Sequence, residues 1–170
     1  MPPESSRAIL PLTQMRARIM PPTKSSLKTT GLTLVALALA TIAAAHTGVK
    51  DPSVKARMDA MGEIKDAFGL LGSMAKGNAP FDAAAAASAR AHLITRANQI
   101  PSDFADKATD PMTEARPAIW QNWGDFTAKS MAMAAAFEAL DVQSETTLRA
   151  GFKQAGASCI ACHKSYRAKN

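Results

Sequence analysis

The sequence predicts an all-α protein, an antiparallel up-down-up-down four-helix bundle. Three observations carry that prediction. Apolar residues recur with a helical period in four separate stretches, no segment alternates with period two, and β-branched residues are sparse. All links but one are short, which favours antiparallel neighbours. A length of 170 residues suits a single domain.

The first helix opens with Asp51 as N-cap and Pro52 at the first helical position, and it runs to about Lys76 before Gly77. At roughly 100° per residue, Val54, Arg57, Met61, Ile64, Phe68, Leu71 and Ala75 form one stripe. Lys65 sits at its border as a snorkelling side chain. Gly62, Gly69 and Gly72 lower helix propensity and suit close approach of another helix or of a flat cofactor. The second helix runs from about Asp82 to Gln99, with Pro101 as its stop. Residues Ser102–Arg116 have no clear period and read as a long surface connection. The third helix opens near Arg116-Pro117 and continues to about Leu140, with Ile119, Trp120, Trp123, Phe126, Met131, Met133, Ala134 and Phe137 as its apolar set. The fourth follows the N-cap Ser144 and passes through Leu148, Phe152, Ala155 and Cys159 to about Arg167. Alanine and methionine dominate this core and leave room for a bulky group.

Residues 1–45 read as a leader that is removed. Lys24 and Lys28 precede the apolar run Leu32–Ala45, and Ala43 and Ala45 form a small-residue cleavage site before His46. The run is shorter than the roughly 18–20 apolar residues that span a bilayer, which disfavours an uncleaved anchor. Residues 46–170 form the folded domain. The leader holds five basic residues against Glu4 alone; the remainder holds 15 basic and 13 acidic residues. The excess charge therefore belongs largely to the leader, and nucleic-acid binding is not expected. No stable membrane insertion is expected after cleavage.

The two cysteines are three positions apart, in Cys159-Ile160-Ala161-Cys162-His163. A disulfide there would close a four-residue loop and add little stability. C-x-x-C-H is the pattern of c-type haem attachment. On a helix, positions i, i+3 and i+4 share one face, so two thiols can bond to the haem vinyl groups while the imidazole reaches the iron. Cys159 and Cys162 are thus the candidate thioether residues and His163 the proximal axial ligand of one covalent haem c per chain. Its other ring nitrogen should donate to a backbone carbonyl or water. A zinc site wants four ligands, and only His46 and His92 are further histidines. A redox C-x-x-C wants a helix beginning at the motif, whereas this motif lies late in one. Covalent haem attachment in bacteria occurs outside the cytoplasm, so motif and leader agree on a periplasmic location.

The domain resembles the class II c-type cytochromes, the cytochrome c′ family. The resemblance covers nearly all of residues 50–169. It rests on Val54-Lys55-Ala56-Arg57, Lys76-Gly77, Ala115-Arg116-Pro117-Ala118-Ile119-Trp120, and Gly156 to Arg167 with its C-terminal C-x-x-C-H followed by Tyr166-Arg167. It implies a haem propionate near Arg57. Met58 stands where the family commonly has Gln. Met61 stands at the position facing the sixth coordination site, where low-spin relatives use Met as a ligand and others carry a Met that does not ligate. Core packing explains Met61 equally well. Arg167 either reaches a propionate or the proximal face, or is a solvated group favouring the helix dipole. Trp120 and Phe104 either pack against haem or serve as ordinary core aromatics. His46 and His92 read as surface groups.

The resemblance implies a one-electron carrier cycling between Fe(III) and Fe(II), serving redox partner proteins of the periplasm. The alternative it supports is binding of nitric oxide or carbon monoxide at the distal face, for scavenging or sensing. An enzyme is not expected, because the first-helix stripe holds no distal His/Arg pair. Family members include homodimers, and the alanine-rich second helix allows close helix contact.

Overall fold

The computed structural model describes residues 48–168. The leader and His46 lie outside the described residues. Among the described residues five helices form: α1 (Pro52–Ala75), α2 (Ala83–Asp103), α3 (Ala118–Gln121), α4 (Trp123–Glu138) and α5 (Glu145–Tyr166). The four long ones build the bundle. Each packs on its neighbour in chain order and α1 closes on α5; across the diagonal, Phe68 of α1 meets Phe137 of α4 at 6.0 Å between ring centroids. β pairing among the described residues is limited to one antiparallel bridge between Ala115 and Arg167.

Local chemistry sets the helix ends. The Asp51 carboxylate accepts from the Val54 amide at 3.0 Å, and Asp82 does the same for Ala85 at 3.0 Å. Gly77, at φ +73°, ends α1; its amide donates to Met74 and the Asn78 amide donates to Ser73, a reversal that favours glycine. Ser144 and Thr147 bond reciprocally to each other's amides and start α5.

Two expectations about helix limits are corrected. First, α2 does not stop before Pro101 but runs through it to Asp103. Proline has no N–H for the carbonyl of Ala97, four residues back. The buried Ser130 hydroxyl of α4 donates to that carbonyl instead, at 2.8 Å. A neighbouring helix thus satisfies the acceptor that proline leaves open. Second, the third helix is split. Asn122 leaves the helical region at φ −128°, ψ 47°, and separates α3 from α4. Its side-chain amide donates to the Ala118 carbonyl at 3.1 Å, the competition by which Asn interrupts a helix.

The connection between α2 and α3 is tied down at several points. The Asp110 carboxylate accepts from the amides of Lys50, Asp51 and Met112 at 2.8, 3.1 and 2.8 Å, fixing the connection to the start of α1. The Trp120 indole donates to the Phe104 carbonyl at 2.8 Å. At the other end, Arg116 donates to the Tyr166 carbonyl and Ala168 to Glu114, anchoring the end of α5 beside the connection.

Candidate haem-binding site

A cavity of about 690 Å³ opens into the bundle. Its walls come chiefly from α1 and α5, with Met133 and Phe126 from α4 and Thr113–Ala115 from the connection. Cys159, Cys162 and His163 all line it, as their shared helical face requires. Both cysteines are free and half-buried. Burial pushes both thiols up, so they stay protonated at neutral pH. That is the wrong electrostatics for a reactive redox thiolate. Desolvation at the cavity edge pushes His163 down; Arg167 adds to this and Glu114 opposes it. The neutral imidazole, the form that binds metal, is favoured.

Met61 and Met58 of α1 both line the cavity and both are half-buried. Met133 lies deeper, with its Sδ 3.8 Å from Cys159 Sγ. The sequence pattern placed Met133 only in the core set, because its meeting with Cys159 depends on how α4 faces α5. Phe68 of α1 and Phe152 of α5 stack at 4.4 Å between centroids, also on the cavity. Gly72 makes that possible: a Cβ there would stand 2.8 Å from Phe152 Cζ. Gly62 and Gly69 also line the cavity, and a Cβ at either would meet nothing within 4 Å.

Arg57 is 2 % exposed, and its guanidinium donates to the carbonyls of Asp106 at 3.2 Å and Ala108 at 2.7 Å. It sits over the rings of Phe104 and Trp120, 5.2 and 5.4 Å from their centroids. Burial pushes it down while Asp106 and Asp51 support its charge. Its Nε is buried with no hydrogen-bond partner, on a residue that lines the cavity. Arg167 pairs through Nε with Glu114 at 2.5 Å and also lines the cavity; Glu114 raises its pKa. His92 is exposed beside Glu63 at 3.4 Å, away from the cavity.

These features fit a haem. The cavity is large and largely apolar, two protonated thiols and a neutral imidazole converge on it, open space lies above two glycines, and a buried guanidinium nitrogen lacks an acceptor. Fold and site together define a bundle-type c haem protein.

The comparisons with known proteins are specific. The sequence pattern of the family described as Cytochrome C′ matches residues 52–167. Cytochrome c′ of Cereibacter sphaeroides is 35% identical over 143 residues, covering 80% of this chain and 96% of that protein. Cytochrome c-556 of Agrobacterium fabrum is 34% identical over 119 residues, covering 68% and 81%. Among solved structures, cytochrome c′ from Rhodobacter spheriodes aligns with TM-score 0.62 and 35% identity, covering 69% of this chain and 96% of that one. A nitric oxide complex of a mutant cytochrome c prime from Alcaligenes xylosoxidans aligns with TM-score 0.62 and 33% identity, covering 69% and 94%. The chain belongs to the cytochrome c′ family. With it come the four-helix bundle and one covalently attached haem c per chain.

Proposed function

We propose that this chain is a periplasmic one-electron carrier whose haem is held by Cys159, Cys162 and His163. The observation that carries the reading is that all three residues line one cavity with Met61 of α1. When bound, haem supplies the Fe(III)/Fe(II) couple. Cys159 and Cys162 would hold it by adding their S–H groups across its two vinyl C=C bonds, the hydrogens ending on the vinyl carbons. Neutral His163 presents a ring nitrogen to the iron. Met61 offers a thioether for the sixth position, a pairing that raises the potential. Arg57 would direct its Nε–H, which lacks an acceptor, to a propionate, while its terminal nitrogens secure the connection. Arg167, held by Glu114, covers the His163 side of the cavity.

The carrier reading, in place of an enzyme, rests on the commitment of the Arg57 terminal nitrogens to backbone carbonyls and on His163 as the sole histidine lining the cavity among the described residues. Export is supported by the leader pattern. Among the described residues, no helix is long and apolar enough to cross a membrane. Redox proteins of the same compartment are the partners. A second copy would pack on the face of α1 and α2 where Leu70 is exposed beside Ala67, Ala85 and Ala89.

The second reading, binding of nitric oxide or carbon monoxide at the distal face, is favoured by the open space at Gly62 and Gly69 and by the nitric oxide complex of the Alcaligenes relative. One set of measurements separates the two. The mass of the chain matured with haem-ligation machinery should exceed the bare polypeptide by one haem; the bare mass overturns the site. Low-spin optical and EPR spectra that turn high-spin in Met61→Ala establish the methionine-ligated carrier. High-spin spectra unchanged by Met61→Ala favour the gas site.

A further inference from the structure

We infer that Tyr166 and Asp125 form a proton-coupled electron donor to the haem cavity, through which the reduced protein meets a hydroperoxide with two electrons instead of one. The inference rests on the haem attachment proposed above. Tyr166 is the chain's only tyrosine. It is 5 % exposed and lines the same cavity as Cys162 and His163, four and three residues before it on one helical face. Its hydroxyl donates to Asp125 Oδ2 at 2.5 Å and lies 3.5 Å from the Asn122 carbonyl. Phe126 meets its ring edge-on at 5.3 Å and keeps it from water.

Asp125 is placed to receive a proton. It stands in the first turn of α4, held by Lys129 at 3.0 Å, and its side chain is half exposed. The hydrogen bonds from Tyr166 and Lys129 keep it ionised. The bond to Asp125 pushes the phenol up to about 12, so Tyr166 does not ionise unaided. A phenol that loses an electron becomes a strong acid. Here an acceptor, the Asp125 carboxylate, is already in line.

The balance is simple. A peroxide O–O bond needs two electrons to end as two waters. A ferrous haem held in the cavity would supply one, ending ferric. Tyr166 gives the other and becomes a neutral phenoxyl radical, its proton going to Asp125. That proton and one from solvent complete two waters from hydrogen peroxide, and no hydroxyl radical is released. With one electron alone, O–O cleavage would leave that radical beside the cavity. The event is stoichiometric, not turnover.

The test mixes the ferrous, haem-loaded chain anaerobically with one equivalent of hydrogen peroxide, followed by freeze-quenching and EPR. Two preparations are compared, one with natural and one with ring-deuterated tyrosine. The expected result is an organic radical whose hyperfine structure narrows on deuteration, which assigns it to Tyr166 without any mutation. Tyr166→Phe should abolish the signal and raise spin-trapped hydroxyl radical. Asp125→Asn should slow its appearance by about 100-fold, the lower end of what a positioned proton acceptor contributes. Haem-loaded protein that gives no radical, or one unchanged by deuteration, overturns the inference and leaves the haem attachment standing. An unchanged rate in Asp125→Asn overturns the role of Asp125. Bare polypeptide mass before mixing marks failure of the attachment instead.

Discussion

The seam between α2 and α4 and the seam between α1 and α5 belong to one bundle and are packed in opposite ways. The first is the most extensive of the four neighbouring contacts and the second the least. On α2 the buried residues are Ala86, Ala89, Leu93, Ala97 and Ile100, three of them alanines whose small side chains permit close helix approach. Its one awkward polar group, the Ala97 carbonyl above Pro101, is met by Ser130. Across the other seam stand Phe68 and Phe152, half-buried methionine and cysteine side chains, and about 690 Å³ of open volume. One seam supplies stability that does not depend on haem. The other is left open around the cavity, the space that the proposed haem would fill.

The largest test of that contrast is a pair of truncations. Leu93→Ala, at a fully buried site, should cost about 2–5 kcal/mol in urea unfolding, with or without haem. Met61→Ala in the haem-free chain should cost about 1 kcal/mol or less, because the space beside it is already open. Equal costs would break the comparison.

The next test isolates the Ser130 bond. Ser130→Ala leaves a buried carbonyl without a partner and should cost about 1–3 kcal/mol. Adding Pro101→Ala returns an N–H to that carbonyl, so a double-mutant cycle should show the second substitution recovering most of the loss. Additive costs would mean that Ser130 contributes by packing alone.

Glycines sharpen the contrast within α1. Gly72→Ala drives a Cβ against Phe152 and should cost about 1–3 kcal/mol in thermal unfolding. Gly69→Ala meets open space in the haem-free chain and should stabilise it by about 0.5–1 kcal/mol through helix propensity.

The smallest effect concerns acid. Three backbone amides hold the Asp110 carboxyl below its usual range, those of Met112, Lys50 and Asp51. A depressed folded pKa contributes stability that is present above the unfolded value of about 3.9 and lost as pH falls through the folded value. Melting temperature should therefore be level above about pH 5 and fall below pH 4. Asp110→Asn should flatten that slope, and an unaltered slope would remove Asp110 as its source.

Much of the fold was legible because it is local. The caps at Asp51 and Ser144 and the stop at Gly77 are written in a few adjacent residues, and the structure shows each. The reading failed where the deciding group was distant. Pro101 looked like a stop because the hydroxyl that satisfies Ala97 lies 33 residues away. The break at Asn122 is a local competition whose signal, an Asn inside an apolar helical stretch, was outweighed by the period around it. The site divides the same way. Cys159, Cys162 and His163 share a face because 3.6 residues make a turn. The partner of Arg167, the carbonyls on Arg57, and the contact of Met133 with Cys159 lie 26 to 53 residues off in sequence.

By itself the sequence determined the helical class, the haem motif and the helix that bears it, because both depend on spacing within a turn or two. Only the tertiary structure decided which seam stays open, which methionines line it, and that the lone tyrosine meets Asp125 beside it. Those outcomes depend on how separate helices face one another, and a helix fixes the spacing of its own side chains but not what stands opposite them.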